Sequence, residues 1–286
     1  MQNKRVLLIG DYEHRDFRET VAWLGDNTQL SAAVTVDAGC DRLVDGQLPW
    51  AIVIAQSRPG QFHAGQIEHL HAMAPLSRLV ALLGSWCEGE MRTGRPWPGV
   101  IRVMWHQWRP RMIPHLSNVS RIQPGLWTLP RTASVAERMA RATEVAWPRR
   151  GGLVAVHART ARDYQAIGIP CAEVGYATHW VLPDNPTHAT GVSAAIVDGV
   201  AAAGPTLHRL NDVVKRIAPS PVIAVLDYVR RQDYERALAA GIAAVVAKPL
   251  LMYDVLWHLD DLLGTPQIDQ QAQRTSHPGR SVTSAA

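Results

Sequence analysis

Four side chains in the second half of this chain stand where chemistry could gather, each directly following a short apolar run. Lys248 closes the run over 243–247 and precedes Pro249; Asp198 closes 194–197 and precedes Gly199. Asp227 comes one residue after the run 221–225 and Leu226, and His157 follows 153–156. If the runs are neighbouring parallel strands, all four sit at the carboxyl ends, where an open α/β sheet collects its ligands. A lysine there stands beside whatever anion or carboxylate occupies the crevice. Asp198 has two readings at this level, a turn residue in an Asp-Gly pair or a functional carboxylate. Lys248 likewise has two, a structural ion-pair partner or a sensor of bound anion.

Other chemistries find little support. The histidines His69, His71, His106, His179, His188, His208 and His258 are scattered without ligand spacing, and Cys40, Cys87 and Cys171 lie too far apart for a zinc or redox pair. No Gly-rich phosphate loop and no nucleophile-base-acid spacing is present. The chain is expected to be non-catalytic, with reduced, packed cysteines. Its composition, 47% hydrophobic and 19% charged over 286 residues, is that of a globular protein of about two domains. The net charge of +4 is uneven: from Ile101 to Arg150 there are nine arginines and two glutamates, a local excess of seven positive charges. That stretch raises nucleic-acid association as an alternative, but no reader motif accompanies it. The apolar start after Lys4 and Arg5 is too short for a signal peptide or a membrane span, so a cytoplasmic chain is expected.

The elements that must position these residues alternate. In the first half, strands are expected over 5–10, 32–36, 51–55, 79–83 and 100–104, with helices over 16–24 and 64–73. In the second, strands are expected over 153–156, 172–174, 194–197, 221–225 and 243–247, with helices over 161–166, 206–217, 232–240 and 251–263. Met252, Val255, Leu256, Leu259 and Leu263 fall on one stripe of the last helix, read as core packing. Continuous apolar runs suit parallel strands covered on both faces, so the fold class is α/β with parallel sheets. The stretch 108–150 holds five prolines and one expected helix, over 135–146, opened by the capping-box spacing of Ser134 and Glu137. The tail 265–286 has no apolar period and reads as disordered.

The stretch from Pro221-Val222-Ile223-Ala224 through Arg231-Gln232-Asp233-Tyr234-Glu235-Arg236-Ala237-Leu238 to Lys248-Pro249 resembles the last third of the response-regulator receiver domain of two-component signalling. The first half resembles it more faintly, through Arg5-Val6-Leu7-Leu8-Ile9 and Arg58-Pro59-Gly60. The resemblance implies two flavodoxin-like, receiver-like units, each a five-stranded parallel sheet flanked by helices: 1–108 and 151–264, joined by a Pro/Arg-rich connector over 109–150. It also assigns roles. In the family a carboxylate after strand three accepts a phosphoryl group, acidic residues after strand one hold magnesium, and a hydroxyl residue after strand four and a lysine after strand five engage the phosphoryl oxygens.

Carried over position by position, the resemblance makes Asp198 the phosphoacceptor candidate and Lys248 the lysine. His157 and Ala158 replace the acidic pair, and Leu226 with Asp227 next to it stands for the hydroxyl position. Magnesium is ordinarily held by several oxygen ligands, so no cofactor is expected and any magnesium binding would be weak. In the first half Ala55 takes the acceptor position, Leu83 and Gly84 the hydroxyl position, and Trp105-His106-Gln107-Trp108 the lysine position; Asp11 and Glu13 are read as a solvated loop or helix-start cap. The implied function is a pseudo-receiver that docks a protein partner or pairs with itself, independent of phosphorylation and of membranes. An alternative is a two-domain enzyme holding a small anion between units near Arg102, Arg109 and Lys248. Ten tryptophans against two phenylalanines, with Trp86, Trp97, Trp105 and Trp108 close together, are read first as packing under a long loop and second as a partner hot spot.

Overall fold

The computed structural model describes residues 4–45, 47–90, 97–116, 129, 132–134, 136–137, 140–141, 147–183, 190–199 and 205–264. Two parallel sheets organise them. The first contains β1 (Arg5–Gly10), β2 (Gln29–Ala33), β3 (Ala51–Gln56), β4 (Arg78–Leu83) and β5 (Ile101–Met104), in the order β2-β1-β3-β4-β5. The second contains β6 (Leu153–His157), β7 (Ala177–Val181), β8 (Val192–Asp198), β9 (Val222–Leu226) and β10 (Ala244–Ala247), in the order β10-β9-β8-β6-β7. Counted within each unit, both orders are 2-1-3-4-5, the flavodoxin-like doubly wound arrangement.

The central strands are apolar because both faces are covered, whereas the edge strands β2 and β7 expose Gln29, Ser31 and Ala177. All of β3 is buried, and only Arg5 of β1 reaches solvent. In the first unit, α1 (Arg18–Asn27) and α4 (Trp108–Leu116) bring Leu24, Trp108, Met112 and Leu116 to the face of Val6, Leu8, Val53 and Leu82. The helices α2 (Val36–Asp45) and α3 (Ala64–Met73) pack Val36, Cys40, Leu43, Ile67 and Leu70 on the opposite face, against Leu7, Ile9, Ile52 and Ile54. In the second unit, α5 (Ala161–Glu173) and α8 (Met252–Leu263) cover Val154, Val156, Ile196 and Ile223. There α6 (Pro205–Ile217) and α7 (Arg231–Ala239) cover Ala155, Ala195, Val197 and Ala224. On α8, Val255, Leu256 and Leu259 are buried and Met252 and Leu263 partly so, as the stripe required.

The units share one apolar cluster, which runs from the α1/α4 face of the first to the α6/α7 face of the second. Trp105 is the hinge of that contact: its ring meets Tyr234 of α7 edge-on at 4.8 Å and lies 4.8 Å from the Arg231 guanidinium. Beside it α4 packs on α8, with Arg111 bidentate to Asp254 at 2.9–3.3 Å and Arg109 reaching Asp261 at 3.1 Å. Arg150, nearly buried, is bidentate to Asp260 of the same helix at 2.5 and 2.6 Å.

Two expected strands are displaced. The strand expected over 32–36 is β2, ending at Ala33; Val34 is exposed, and Val36 opens α2, where Thr35 Oγ1 accepts a hydrogen bond from the Ala38 amide at 3.2 Å. The buried positions Val36, Cys40 and Leu43 then recur at helical spacing, so a helix the sequence reading left out wins over the strand. Residues 172–174 are not a strand: α5 continues through Glu173, and the second strand of that unit starts at Ala177 after Gly175. Gly175 turns the chain with φ +104°, and a Cβ there would lie 2.5 Å from the Arg150 carbonyl, so glycine is required at this switch from helix to strand. At the expected helix over 135–146, the Ser134 amide and hydroxyl both reach Glu137 Oε2 (2.6 and 2.8 Å) and the Glu137 amide reaches Ser134 Oγ (3.2 Å). Most of that helix, and the expected disordered tail over 265–286, lie outside the described residues.

Candidate functional site

The two strand ladders give a residue-by-residue correspondence between units. Val197 lies opposite His157 as Ile54 lies opposite Ile9; Asp198 lies opposite Val225 as Ala55 lies opposite Leu82; Ala247 lies opposite Leu226 as Met104 lies opposite Leu83. Asp198 therefore corresponds to Ala55, Asp227 to Gly84, Lys248 to Trp105 and His157 to Ile9.

In the second unit, three of the four candidate residues meet. Lys248 Nζ lies 2.9 Å from Asp198 Oδ1 and 2.9 Å from Asp227 Oδ1. β9 and β10 end side by side at Leu226 and Ala247, so the next residue of each, Asp227 and Lys248, projects from the same edge. The environments differ: the Asp198 side chain is 7% exposed, Lys248 34% and Asp227 72%. Burial by itself would lower the Lys248 pKa, but the two carboxylates outweigh it and raise the ammonium above its ordinary value, so it stays charged. His157 stands apart from this triad, on the other side of Asp198. Burial first, then Arg216 and His179, push its pKa down to about 4, so it is neutral at pH 7.

This donor set does not fit magnesium. A hard cation needs several oxygens in octahedral array, whereas the strand-one positions supply a neutral imidazole and the methyl group of the fully buried Ala158. The two carboxylates present share an ammonium. Among the described residues, no group of three or more His, Cys, Asp or Glu side chains converges as a metal site would.

The first unit's crevice is filled by its own side chains. Buried Asp16, which the sequence reading passed over, accepts from the Ser85 amide through Oδ2 at 2.8 Å, closing over the carboxyl ends of β1 and β4. Gln56 Nε2 donates to Glu90 Oε1 at 3.2 Å, Arg102 holds Glu90 Oε2 at 2.5 Å, and His106 meets Glu88 at 3.0 Å. Ala55, the register counterpart of Asp198, presents only a methyl group at that end of the sheet. Asp11 is half-buried and Glu13 exposed in the loop after β1; the cap of the following 3-10 turn is instead His14, whose Nδ1 accepts from the Asp16 amide at 3.3 Å.

The arginines singled out for an anion between the units are already engaged: Arg102 with Glu90 and Arg109 with Asp261. Three arginines of the basic stretch, Arg109, Arg111 and Arg150, each pair with an aspartate of α8. Trp97, Trp105 and Trp108 are buried, whereas Trp86 is 75% exposed. All three cysteines are free and buried, and burial raises the thiols of Cys87 and Cys171 to about 12, which leaves them unreactive. No helix among the described residues is long and apolar enough to cross a membrane.

One cleft takes in two of the sequence candidates, His157 and Asp198, together with arginines that the sequence reading passed over. It has a volume of about 280 Å³, lies at the carboxyl ends of β6 and β8, and is lined by His157, Arg159, Asp198, Arg209, Asp212 and Arg216 among others. Its signal was present in the spacing of Arg209, Asp212, Val213 and Arg216, one stripe of α6.

Compared with known proteins, the chain matches no family model and no curated protein. Among solved structures it is similar to a response regulator from Thermotoga maritima (15% identity, TM-score 0.36, covering 41% of this chain and 100% of that one). It is also similar to the non-phosphorylated HemR receiver domain of Leptospira biflexa (12% identity, TM-score 0.34, 40% of this chain and 95% of that one). A third match is to the CheX-CheY-BeF3-Mg complex of Borrelia burgdorferi (13% identity, TM-score 0.36, 40% of this chain and 90% of that one).

Proposed function

We propose that this chain is a non-catalytic, cytoplasmic signal-transduction protein, a tandem of pseudo-receiver units that docks a protein partner or pairs with a second copy without phosphorylation. The units are 1–108 and 151–264, with the connector over 109–150 between them. The observation that carries this reading is the fixed clamp in the second unit, where Lys248 already neutralises Asp198 and Asp227 at 2.9 Å each. An acceptor must present a carboxylate to a metal-bound phosphoryl group; here the ammonium occupies that role and the strand-one donors are missing. The first unit supports the same conclusion, because the counterpart of the lysine, Trp105, is a packing residue between units.

The test is incubation with acetyl phosphate, or with beryllofluoride and magnesium, beside Asp198→Asn. Intact-mass and fluorine NMR spectra are expected to show no adduct in either protein. A magnesium-dependent adduct on the native chain that disappears in the variant would overturn the proposal and make Asp198 a working acceptor. The docking part is tested by sedimentation of the native chain and by Trp86→Ala, which removes the most exposed aromatic ring among the described residues.

A further inference from the structure

Of the four edge strands of the two sheets, three carry a feature that keeps another strand away. β5 holds Arg102 in an ion pair with Glu90, β10 lies against the turn Trp105–Gln107, and β7 is followed two residues later by Pro183. Charge, covering and proline are the usual means by which a sheet edge avoids pairing. β2 shows none of them among the described residues. From Asn27 to Val36 no residue is charged and none is proline, and β1 is the one strand beside it there.

The Gln29 amide donates to the Lys4 carbonyl at 3.0 Å, so Gln29, Ser31 and Ala33 turn their backbone groups to β1. The alternate residues, Leu30 and Ala32, turn theirs to the outer edge. Their side chains are half-buried on the apolar face that α1 covers, Ser31 is exposed on the opposite face, and Val34, just past the strand, is 69% exposed. A second copy turned by a two-fold axis at Ser31 meets these groups with its own. Leu30 of each copy falls opposite Ala32 of the other, and their outward amides and carbonyls exchange about four N–H···O bonds. The two Ser31 side chains stand opposite each other, the apolar layer of Leu30 and Ala32 continues across the axis, and no like charges on the strands meet.

We infer that a second copy of this chain pairs antiparallel with β2 about a two-fold axis at Ser31, joining the two copies' first five-stranded sheets edge to edge. The inference rests on the reading that the chain pairs with itself, and names the strand through which it does so. The same edge serves both copies, so the pair closes and leaves neither β2 unpaired.

The test is sedimentation velocity of the full chain at loadings up to about 200 micromolar, where so short a strand contact is expected to give a dimer with Kd on the order of 1–100 micromolar. Ser31→Lys and Ser31→Glu each set like charges opposite across the axis and should weaken that dimer at least about tenfold. An equimolar mixture of the two variants should dimerise at least as well as the native chain, because opposite charges then meet. Ser31 is exposed, so neither variant should shift the urea unfolding midpoint, which separates lost pairing from lost folding. Leu76→Lys, at a position 83% exposed before β4, should change nothing. A native chain that stays monomeric throughout would overturn the inference, and self-pairing would fall with it, leaving docking to a different protein. A dimer that Ser31→Lys leaves intact would overturn the assignment to β2 while self-pairing stands. A mixture that associates no better than either variant alone would overturn it as well.

Discussion

Replacing Lys248 by methionine keeps the aliphatic stem and deletes the charge, and the structure sets how much this should cost. Removing one partner of a buried pair costs about 3–5 kcal/mol, and of an exposed pair about 0–1 kcal/mol. Asp198 belongs near the first limit and Asp227 to the second, at 7% and 72% exposure. Lys248 is itself one-third exposed, so water enters where the ammonium was, and the expected loss falls to about 1–2 kcal/mol. Asp227→Asn should cost less than about 0.5 kcal/mol. Asp198→Asn removes the carboxylate that needs the cation, so the double variant Asp198→Asn/Lys248→Met should recover about 1 kcal/mol relative to the sum of the singles. Urea unfolding followed by tryptophan fluorescence, with unchanged m-values, gives each quantity. Should Asp227→Asn prove as costly as Lys248→Met, or the Asp198/Lys248 coupling vanish, the lysine is not a clamp on the acceptor position.

The unit interface and the buried histidines give three further outcomes. Arg111→Met leaves Asp254 buried without its guanidinium and should cost about 2–4 kcal/mol, whereas Arg111→Met/Asp254→Asn should cost markedly less; thermal unfolding of the four-member cycle reads this. Trp105→Ala deletes a ring that joins the two sheets through Tyr234 and should cost about 3–5 kcal/mol, splitting one urea transition into two as the units uncouple. Burial lowers the folded-state pKa of His115 to about 3 and those of His157 and His258 to about 4. The unfolded chain, with histidines near 6.5, then binds the extra protons, so this stabilisation is complete above about pH 6.5 and is lost as pH falls from there towards 4. Unfolding midpoints across that window should drop with an uptake of up to about three protons, and His157→Gln should flatten part of the slope.

The apolar runs were legible because a strand covered on both faces must be apolar along its whole length, which is a property of five or six consecutive residues. β1, β3, β4 and β9 follow from that alone, and the stripe of α8 follows from apolar residues recurring at helical spacing. The pairing of Lys248 with Asp198 was open at that level, since a residue at a strand end has no partner until the neighbouring strand is in register. The ladders Ala247↔Leu226 and Asp198↔Val225 bring those residues together across fifty positions of sequence. The displaced strand at 172–174 shows the opposite limit: Ala172, Glu173 and Val174 fit either period, and the decision came from Gly175 turning against the Arg150 carbonyl.

Sequence by itself determined the α/β class, the two-fold repetition of strands and the presence of His157 and Ala158, not carboxylates, after the first strand of the second unit, because these depend on which residue follows which. Only the tertiary structure decided that Arg109, Arg111 and Arg150 pair with the aspartates of α8, that Asp16 and Gln56 reach Ser85 and Glu90 at the carboxyl end of the first sheet, and that Lys248 lies between Asp198 and Asp227. Charge compensation depends on what lies opposite in space, and the order of residues along the chain does not fix that.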